Sequence, residues 1–315
     1  MIARRRLLAA AGLALAGCNR RRRRTVGVVP KATSHLFFVA VHAGVERAAR
    51  EFDMDLLWNG PTDETDYSRQ IEIVDSMVAR HVDALAISAA DERALVAPLE
   101  RAMRAGIPVT VFDSAVNVEG YVSFISSDNY AAGCTAARRL AALIGGKGTV
   151  GMVMQKPGGA STVLRETGFA DTVAKELSAV RIVARQYGMA DPVRSRAAAE
   201  NILTAHPDLG GIFASSEAAS LGSIQAIRSR GLSGKVKLVT FDTSETHIEA
   251  LKEGVIDIML VQDPTQLGYE AVKSLARKLR GESPAHRMEI PVSVVVKSDL
   301  GQPAVRALLS PPAPR

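Results

Sequence analysis

Short runs of β-branched and aliphatic residues alternate with amphipathic segments along the chain from Thr25 to Phe112. Ile71, Val74 and Val78 recur at steps of three and four, which predicts a helix with one buried stripe. Strands and helices that alternate at this spacing predict βαβ units and a parallel sheet covered on both faces. The predicted strands are Val26–Val29, Met54–Trp58, Ala84–Ile87 and Pro108–Phe112, and the predicted helices are Phe37–Phe52, Tyr67–Arg80 and Glu92–Ala105.

The same alternation restarts after Tyr121–Ile125 and continues to a last predicted strand, Ile290–Val296. A helix is predicted near Arg165–Leu177, and the proline-rich end, residues 303–315, is predicted to be a loose tail. Because the roughly 290 residues after the N-terminus exceed one ordinary core, two domains are expected. The predicted fold class is α/β, with two doubly wound parallel-sheet lobes of similar size.

The first residues have the pattern of an export signal. Arg4-Arg5-Arg6 precedes an apolar run, Leu7–Ala16, that is too short to span a bilayer. Leu15-Ala16-Gly17-Cys18 resembles the lipobox of bacterial lipoproteins, in which the cysteine is acylated and becomes the first residue. We predict a signal peptide over residues 1–17 and a lipid on Cys18, with a plain signal peptide as the alternative. The arginines are compatible with general secretion and with twin-arginine export.

The net charge of +6 comes from this N-terminus. Eight of the 39 Lys and Arg residues lie within residues 1–24, where there is no acidic residue, so 31 basic residues face 33 acidic ones in the rest of the chain. A basic surface for nucleic acid is therefore not predicted. Residues 18–24, which include Arg20–Arg24, are predicted to form a tether that is either solvated or in contact with anionic headgroups.

Cysteine usage excludes a disulfide framework. The chain contains only Cys18 and Cys134, so lipidation of Cys18 leaves Cys134 without a partner. Cys134 lies in an alanine-rich helical stretch and is predicted to be a small core residue.

Polar residues cluster where predicted strands end. In wound sheets ligands bind outside the carboxyl ends of the strands. Carboxylates and amides pair with hydroxyl groups, and aromatic rings stack on apolar C–H faces, so these residues together suit a sugar. The residues at these strand ends are Pro30–Phe38, Asp113-Ser114, Ser215-Ser216-Glu217, Asp242-Thr243 and Gln262-Asp263-Pro264.

Six segments in order resemble the periplasmic sugar-binding proteins of ABC transporters, in the ribose-binding branch whose fold is shared with the ligand domains of lactose-repressor-type regulators. The segments are FFVAVHAGVERAA (37–49), IPVTVFDS (107–114), SSDNYAAG (126–133), LTAHPDLGGIFASSE (203–217), VTFDTS (239–244) and VQDPTQLGYEAV (261–272). The resemblance implies a type I periplasmic binding protein fold whose two lobes are joined by three hinge crossovers. It implies a first lobe of residues 25–126 plus 263–290 and a second of residues 127–262 plus 291–302.

The resemblance also implies roles for individual residues. Phe37 and Phe38 match an aromatic pair that sandwiches the sugar, Asp113 and Asp242 match carboxylates that accept from its hydroxyls, and Gln262 matches an amide on the second lobe. Alternatives are core packing for the phenylalanine pair and a turn-capping role for Asp113.

Three departures argue against D-ribose as the ligand. His35 and Ser216 replace asparagines of ribose binders, and Val163 stands where an arginine is expected, with Arg165 nearby. Pro30-Lys31 and Asn59–Glu64 look more like relatives that bind autoinducer, unusual sugars or polyols, and in the autoinducer branch a lysine at the Lys31 position contacts the ligand. Lys31 and His35 are alternatively ordinary loop residues. The candidate ligand-binding residues are Lys31, His35, Phe37, Phe38, Asp113, Ser114, Arg165, Ser216, Glu217, Asp242 and Gln262.

Other function classes lack their signals in the sequence. Gly145–Gly148 precedes a strand and is not a phosphate loop, and neither a Gly-x-Ser-x-Gly elbow nor a metal-ligand cluster is present. A repressor needs a helix-turn-helix ahead of the first strand, where an export signal stands instead.

We predict a monomeric, non-enzymatic protein without cofactor or metal, at the periplasm or the outer cell envelope. Its predicted partners are a neutral monosaccharide or polyol and an ABC permease, with a chemoreceptor or sensor kinase as the alternative partner.

Overall fold

The computed structural model describes residues 22–310, and the predicted signal peptide and the lipid site at Cys18 lie outside these residues. The described chain folds into two lobes, each built on one six-stranded sheet. The first sheet has the order β11-β5-β4-β3-β1-β2, with β1 at Arg24–Val29, β2 at Met54–Trp58, β3 at Ala84–Ile87, β4 at Val109–Phe112, β5 at Ser123–Ser126 and β11 at Arg287–Glu289. All of its strand pairs are parallel.

The second sheet repeats this arrangement. Its order is β12-β10-β9-β8-β6-β7, with β6 at Gly148–Met154, β7 at Val180–Tyr187, β8 at Gly211–Ala214, β9 at Lys237–Phe241, β10 at Ile258–Val261 and β12 at Ser293–Val295. Its pairs are parallel except for β12, which runs antiparallel to β10.

Helices cover both faces of each sheet. In the first lobe these are α1 at Leu36–Glu51, α2 at Tyr67–Ala79, α3 at Val96–Arg104 and α9 at Pro264–Leu279. In the second lobe they are α4 at Asn129–Leu143, α5 at Ala160–Glu176, α6 at Pro192–Ala205, α7 at Glu217–Ser229, α8 at Glu245–Glu253 and α10 at Pro303–Leu309. Each lobe has two apolar clusters, in accordance with a sheet buried on both faces.

The chain passes between the lobes three times in the described residues. The passages lie between β5 and α4, between β10 and α9, and between β11 and β12. The fold class predicted from the sequence, two wound parallel-sheet lobes joined by crossovers, is confirmed. None of the helices within residues 22–310 combines the length and apolar character that crossing a bilayer requires.

Three local predictions differ from the structure. The single strand predicted at Ile290–Val296 is two short strands in different sheets, because Pro291 follows β11 and removes a backbone donor. The tail predicted to be loose from residue 303 contains helix α10, which begins at Pro303 and packs Leu309 into the core of the second lobe. The helix predicted near Arg165 begins at Ala160, five positions before that arginine.

The predicted arginine tether joins the fold before Thr25. Arg24 is the first residue of β1. The guanidinium of Arg23 lies 2.8 Å from a carboxylate oxygen of Asp53 and 3.4 Å from one of Asp55. These exposed ion pairs contribute little free energy individually, but they place the arginines against the first lobe.

Candidate functional site

A small cavity of about 30 Å³ lies between the lobes, at the carboxyl ends of strands from both sheets. Ten of the eleven residues predicted as candidates line it, together with four others. The lining consists of Lys31, His35, Phe37, Phe38, Glu64, Asp113, Gln155, Ser161, Thr162, Arg165, Ser216, Glu217, Asp242 and Gln262.

The wall from the first lobe centres on a buried ion pair. Lys31 follows β1 and Asp113 follows β4, and the Lys31 Nζ lies 2.9 Å from Asp113 Oδ2. The same carboxylate oxygen accepts from the hydroxyl of Ser88, which follows β3, at 2.7 Å. Both charged side chains are almost completely buried, so the pairing offsets a large desolvation cost.

The wall from the second lobe has a corresponding carboxylate. Asp242 follows β9 and accepts from the Gln262 amide, which follows β10, at 2.8 Å. Arg165 on α5 places its guanidinium 3.9 Å from the other oxygen of Asp242. Burial raises the pKa of Asp242, although the charge of Arg165 and the hydrogen bond from Gln262 lower it in part.

The two aspartates occupy matching backbone positions. Asp113 has φ of 58° and Asp242 has φ of 67°, a left-handed conformation that aspartate tolerates better than most residues. Each backbone N–H continues the sheet by donating to a neighbouring strand, to Ile125 O at 2.8 Å and to Leu260 O at 2.9 Å. Each strand end therefore turns its carboxylate into the space between the lobes.

Arg165 is held in a fixed orientation. Its Nε donates to the Asn129 side chain at 2.7 Å, its NH1 donates to Ser215 O at 3.1 Å, and its guanidinium lies 4.0 Å from the centroid of the Phe241 ring. Val163 is 37% exposed and does not line the cavity. The departure at Val163 therefore leaves the cavity with a guanidinium donor, because Arg165 supplies one.

His35 and Glu64 form a third ion pair in the lining, with 3.4 Å between Nδ1 and Oε1. Burial alone lowers the pKa of His35. The hydrogen bond and charge of Glu64, the charge of Glu217 and the Ala190 carbonyl outweigh burial and raise that pKa to about 9. Burial alone raises the pKa of Glu64, yet the charge of Lys31 and the hydrogen bond and charge of His35 hold it far below its usual range. His35 is therefore a cation and Glu64 an anion at neutral pH.

The aromatic pair forms one side of the cavity. The ring centroids of Phe37 and Phe38 lie 5.1 Å apart with their planes at 90°. Phe38 is 2% exposed and packs into the core of the first lobe, whereas Phe37 is only partly buried. Perpendicular rings do not provide two parallel walls, so the geometry offers one stacking face rather than a sandwich.

Ser216, Glu217 and Ser114 make contacts within the protein. The Ser216 hydroxyl donates to the Gln155 side-chain oxygen, and both Glu217 oxygens accept backbone N–H groups from α1. Burial raises the pKa of Glu217, while the charge of His35 and the N–H of Phe37 lower it in part. Ser114 does not line the cavity, and its buried hydroxyl accepts from the backbone N–H of Ser161 at 3.3 Å.

Several hydrogen bonds connect the lobes directly. Lys31 Nζ donates to Ser161 Oγ at 2.9 Å, and Gln155 Nε2 donates to Glu64 Oε2 at 3.2 Å. At the other rim, the Glu92 N–H donates to Gly158 O at 3.1 Å. Bonds of this length across the cavity identify the arrangement as a closed form of the two lobes.

Four residues of the lining were not predicted from the sequence: Glu64, Gln155, Ser161 and Thr162. Glu64 lies in the segment Asn59–Glu64, whose likeness to other sugar binders was noted without assigning it a role. Gln155 directly follows β6, so the rule that selects strand ends predicts it as well. Ser161 and Thr162 lie in the first turn of α5, which the predicted helix start near Arg165 excluded.

The cavity is rich in groups that bind hydroxyls. Each of its three cationic side chains, Lys31, His35 and Arg165, lies within 4.0 Å of a carboxylate oxygen. Within residues 22–310 no group of three or more His, Cys, Asp and Glu side chains could hold a metal ion. The arrangement suits a neutral polar ligand, because each cation is paired with a carboxylate and the fourth carboxylate, Glu217, is bonded to backbone N–H groups.

Comparison with known proteins gives one family. The model of the periplasmic binding protein domain matches residues 26–283. The D-ribose/D-allose-binding protein of Pseudomonas aeruginosa is 29% identical over 282 residues, which are 86% of this chain and 88% of that protein. The ribose import binding protein of Bacillus subtilis is 26% identical over 270 residues, 86% of each chain.

Solved structures agree with this match. An ABC transporter solute-binding protein from Agrobacterium vitis, bound with α-D-tagatopyranose, has a TM-score of 0.87 and 31% identity, covering 91% of this chain and 99% of that one. A carbohydrate transporter solute-binding protein from Agrobacterium radiobacter, in complex with D-arabinose, has a TM-score of 0.89 and 29% identity, covering 92% of this chain and 100% of that one.

Proposed function

Because the chain belongs to the periplasmic binding protein family, we propose that it captures a neutral monosaccharide or polyol between its lobes and delivers it to an ABC importer. It acts outside the cytoplasm and binds the sugar without changing it chemically. The similar proteins whose names state a ligand bind pentoses or hexoses, which supports a sugar of five or six carbons.

The observation that carries this proposal is the pair of buried carboxylates, Asp113 and Asp242, which face one cavity from opposite lobes. A sugar hydroxyl that donates to each carboxylate connects the lobes, and such contacts exist only when the lobes are closed. A ligand shifts an open–closed equilibrium through contacts that differ between the two states. Lys31, Arg165 and Gln262 supply donors to the sugar oxygens, and Phe37 offers a face to its C–H groups.

The pairing of every cation in the lining with a carboxylate supports a neutral ligand. A phosphate placed in the cavity meets the carboxylates of Asp113, Asp242, Glu64 and Glu217, while the cations are already paired with carboxylates. Anion recognition usually relies on unpaired arginines or backbone donors. Sugar phosphates are therefore excluded from the proposed ligand class.

A thermal-shift panel of D-ribose, D-allose, D-arabinose, D-tagatose, D-fucose and ribose 5-phosphate tests this proposal. A sugar at 100 times its Kd stabilises the protein by about 2.7 kcal/mol, which raises the melting temperature by several degrees. We expect at least one neutral sugar to raise it, ribose 5-phosphate to leave it unchanged, and Asp242→Asn to abolish the sugar response. The bound sugar is recovered unaltered. A response to the phosphate alone contradicts the proposal.

A further inference from the structure

The N-terminus of α1 receives its cap from the opposite lobe. The backbone N–H of Leu36 donates to Glu217 Oε1 at 3.2 Å, and that of Phe37 donates to Glu217 Oε2 at 3.0 Å. Within α1 the N-cap residue, His35, makes no side-chain cap bond, and the first turn contains no acidic residue. The first N–H groups of a helix have no intrahelical acceptor, so Glu217 supplies what α1 lacks.

Glu217 belongs to the second lobe, where it is the first residue of α7. That helix has its own cap, because the Ser216 hydroxyl accepts from the Ala219 N–H at 3.3 Å. The bonds from Leu36 and Phe37 therefore span the cleft and exist only while the lobes are closed. Both carboxylate oxygens are engaged by backbone N–H groups of the protein itself.

We propose that Glu217 is a closure latch, a positioning residue that stabilises the closed lobes by capping α1 and does so equally for every sugar that the cavity accepts. This inference rests on the proposed function, and it assigns to Glu217 a role separate from sugar contact. Glu217 stabilises the closed arrangement of the lobes, whereas Asp113 and Asp242 select the ligand.

Electrostatics favour this pairing. Burial and the charge of Asp242 raise the pKa of Glu217, whereas the cationic His35 and the N–H groups at the N-terminal end of the α1 dipole stabilise its negative charge. Glu217 is 8% exposed, so its charge requires partners in the closed form. The contact also has a local effect, because one of the two capped N–H groups belongs to Phe37, whose ring lines the cavity. Closure thereby fixes the backbone that carries the stacking face.

Hydrogen exchange at two amides tests the latch directly. The amides of Leu36 and Phe37 have Glu217 as their acceptor, so their protection follows closure. We expect Glu217→Ala to increase exchange at these two amides by at least tenfold while the amides later in α1 keep their rates. Glu245→Ala is the matched control: Glu245 also opens a helix of the second lobe after a serine N-cap, but it is exposed. If the Leu36 and Phe37 amides of the wild type exchange as fast as those of Glu217→Ala, both with and without sugar, the latch proposal is wrong.

Affinities separate the latch from a ligand contact. An N-cap contributes about 1 kcal/mol of stabilisation, which corresponds to a roughly fivefold change in an equilibrium constant. We expect Glu217→Ala to weaken all sugars that bind, among D-ribose, D-allose, D-arabinose, D-tagatose and D-fucose, by the same factor of about five to ten. The change lies mainly in the dissociation rate, and Glu245→Ala binds like the wild type. If Glu217→Ala loses affinity for one sugar while its affinities for the other sugars are unchanged, the latch proposal is wrong and Glu217 contacts the ligand directly.

The two proposals fail separately. If none of these sugars raises the melting temperature of the wild type, the proposed sugar-binding function is wrong. The exchange of Leu36 and Phe37 still decides the latch in that case, because protection that disappears in Glu217→Ala requires no ligand.

Discussion

His35 carries a proton because its polar neighbours together outweigh the effect of burial. The carboxylates of Glu64 and Glu217 and the carbonyl of Ala190 stabilise the charged imidazole, and burial opposes it. The balance raises its pKa from 6.5 to about 9. A histidine here differs from an asparagine by contributing a positive charge, which compensates the acidic groups of the cleft.

This raised pKa predicts a pH dependence of stability. Because the folded protein holds the His35 proton more tightly than the unfolded chain, the stabilisation is complete below pH 6.5 and is lost as the pH rises through about 9. A shift of that size corresponds to about 3 kcal/mol. Urea unfolding is measured between pH 7.5 and 9.5 with saturating sugar. The free energy of unfolding of the wild type is expected to decrease as the pH rises, and that of His35→Gln is expected to change less with pH.

The choice of pH range isolates His35 from another buried group. Burial raises the pKa of Glu166 to about 7, although bonds from Ser215 and Gln155 lower it in part. As a carboxylate with a raised pKa, Glu166 makes the fold less stable as the pH rises from 4.5 to about 7, which is below the measured range. Parallel profiles for the wild type and His35→Gln above pH 7.5 would show that His35 is not protonated in the closed form.

At the scale of elements, the loop after β6 meets the first lobe at a glycine. Gly158 has φ of +81°, and its carbonyl accepts the Glu92 N–H across the cleft. A Cβ added at Gly158 would lie 3.2 Å from the Asp91 Cγ and closer still to its Oδ2. The other oxygen of Asp91 accepts the N–H groups of Arg93 and Ala94, so this carboxylate is held in place.

Gly158→Ala is therefore expected to hinder closure in addition to straining the loop. Gly146→Ala is the matched control, because Gly146 belongs to the same lobe and has φ of +76° but no atom within 4 Å of the added Cβ. Both variants lose about 1 to 2 kcal/mol of stability from the left-handed backbone. Only Gly158→Ala is expected to weaken sugar binding, by tenfold or more, and to keep a larger radius of gyration with sugar present. Equal affinities of the two variants would exclude a closure contact at Gly158.

At the scale of the whole molecule, the N-terminal chain and the cavity lie at opposite ends of the first sheet. Arg24 begins β1, whereas Lys31 lines the cavity just beyond its carboxyl end. The six residues of β1 separate the two by about 20 Å. Arg22 and Arg23 pair with Asp83, Asp53 and Asp55 on the amino side of this sheet. A chain attached to a membrane through residue 18 would thus leave the cleft accessible.

We propose a lipid anchor at Cys18, and the geometry predicts that its removal spares binding. Mass spectrometry of the membrane fraction is expected to show a chain that begins at Cys18 and carries acyl groups. Cys18→Ser is expected to release a soluble protein with unchanged sugar affinity, because the chain enters β1 at the end remote from the cavity. A wild-type product that is soluble and cleaved at another position contradicts the anchor and leaves the sugar site unaffected.

The helix α2 illustrates where the pattern of the sequence was insufficient. The predicted stripe was Ile71, Val74 and Val78, whereas the buried face includes Gln70, Ile73, Val74 and Met77. Gln70 is fully buried because its amide donates to Pro30 O and Ser88 O and accepts from the Ala90 N–H. Neighbouring stripes on a helix satisfy the same periodicity, and the network that buries a polar residue involves loops distant in sequence.

The pattern of apolar and polar residues was sufficient to predict the two wound sheets and the strand ends where Lys31, Asp113, Asp242 and Gln262 lie. Local periodicity defines strands and helices, and parallel connections bring the carboxyl ends of strands to one edge. How the edges of the two sheets meet depends on contacts between residues that are distant in sequence. Gln155 and Glu64 are 91 positions apart in sequence, and Glu217 and Phe37 are 180 apart. Such contacts depend on the closure of the lobes, which local propensity does not encode, so the partners of each site residue followed from the three-dimensional arrangement alone.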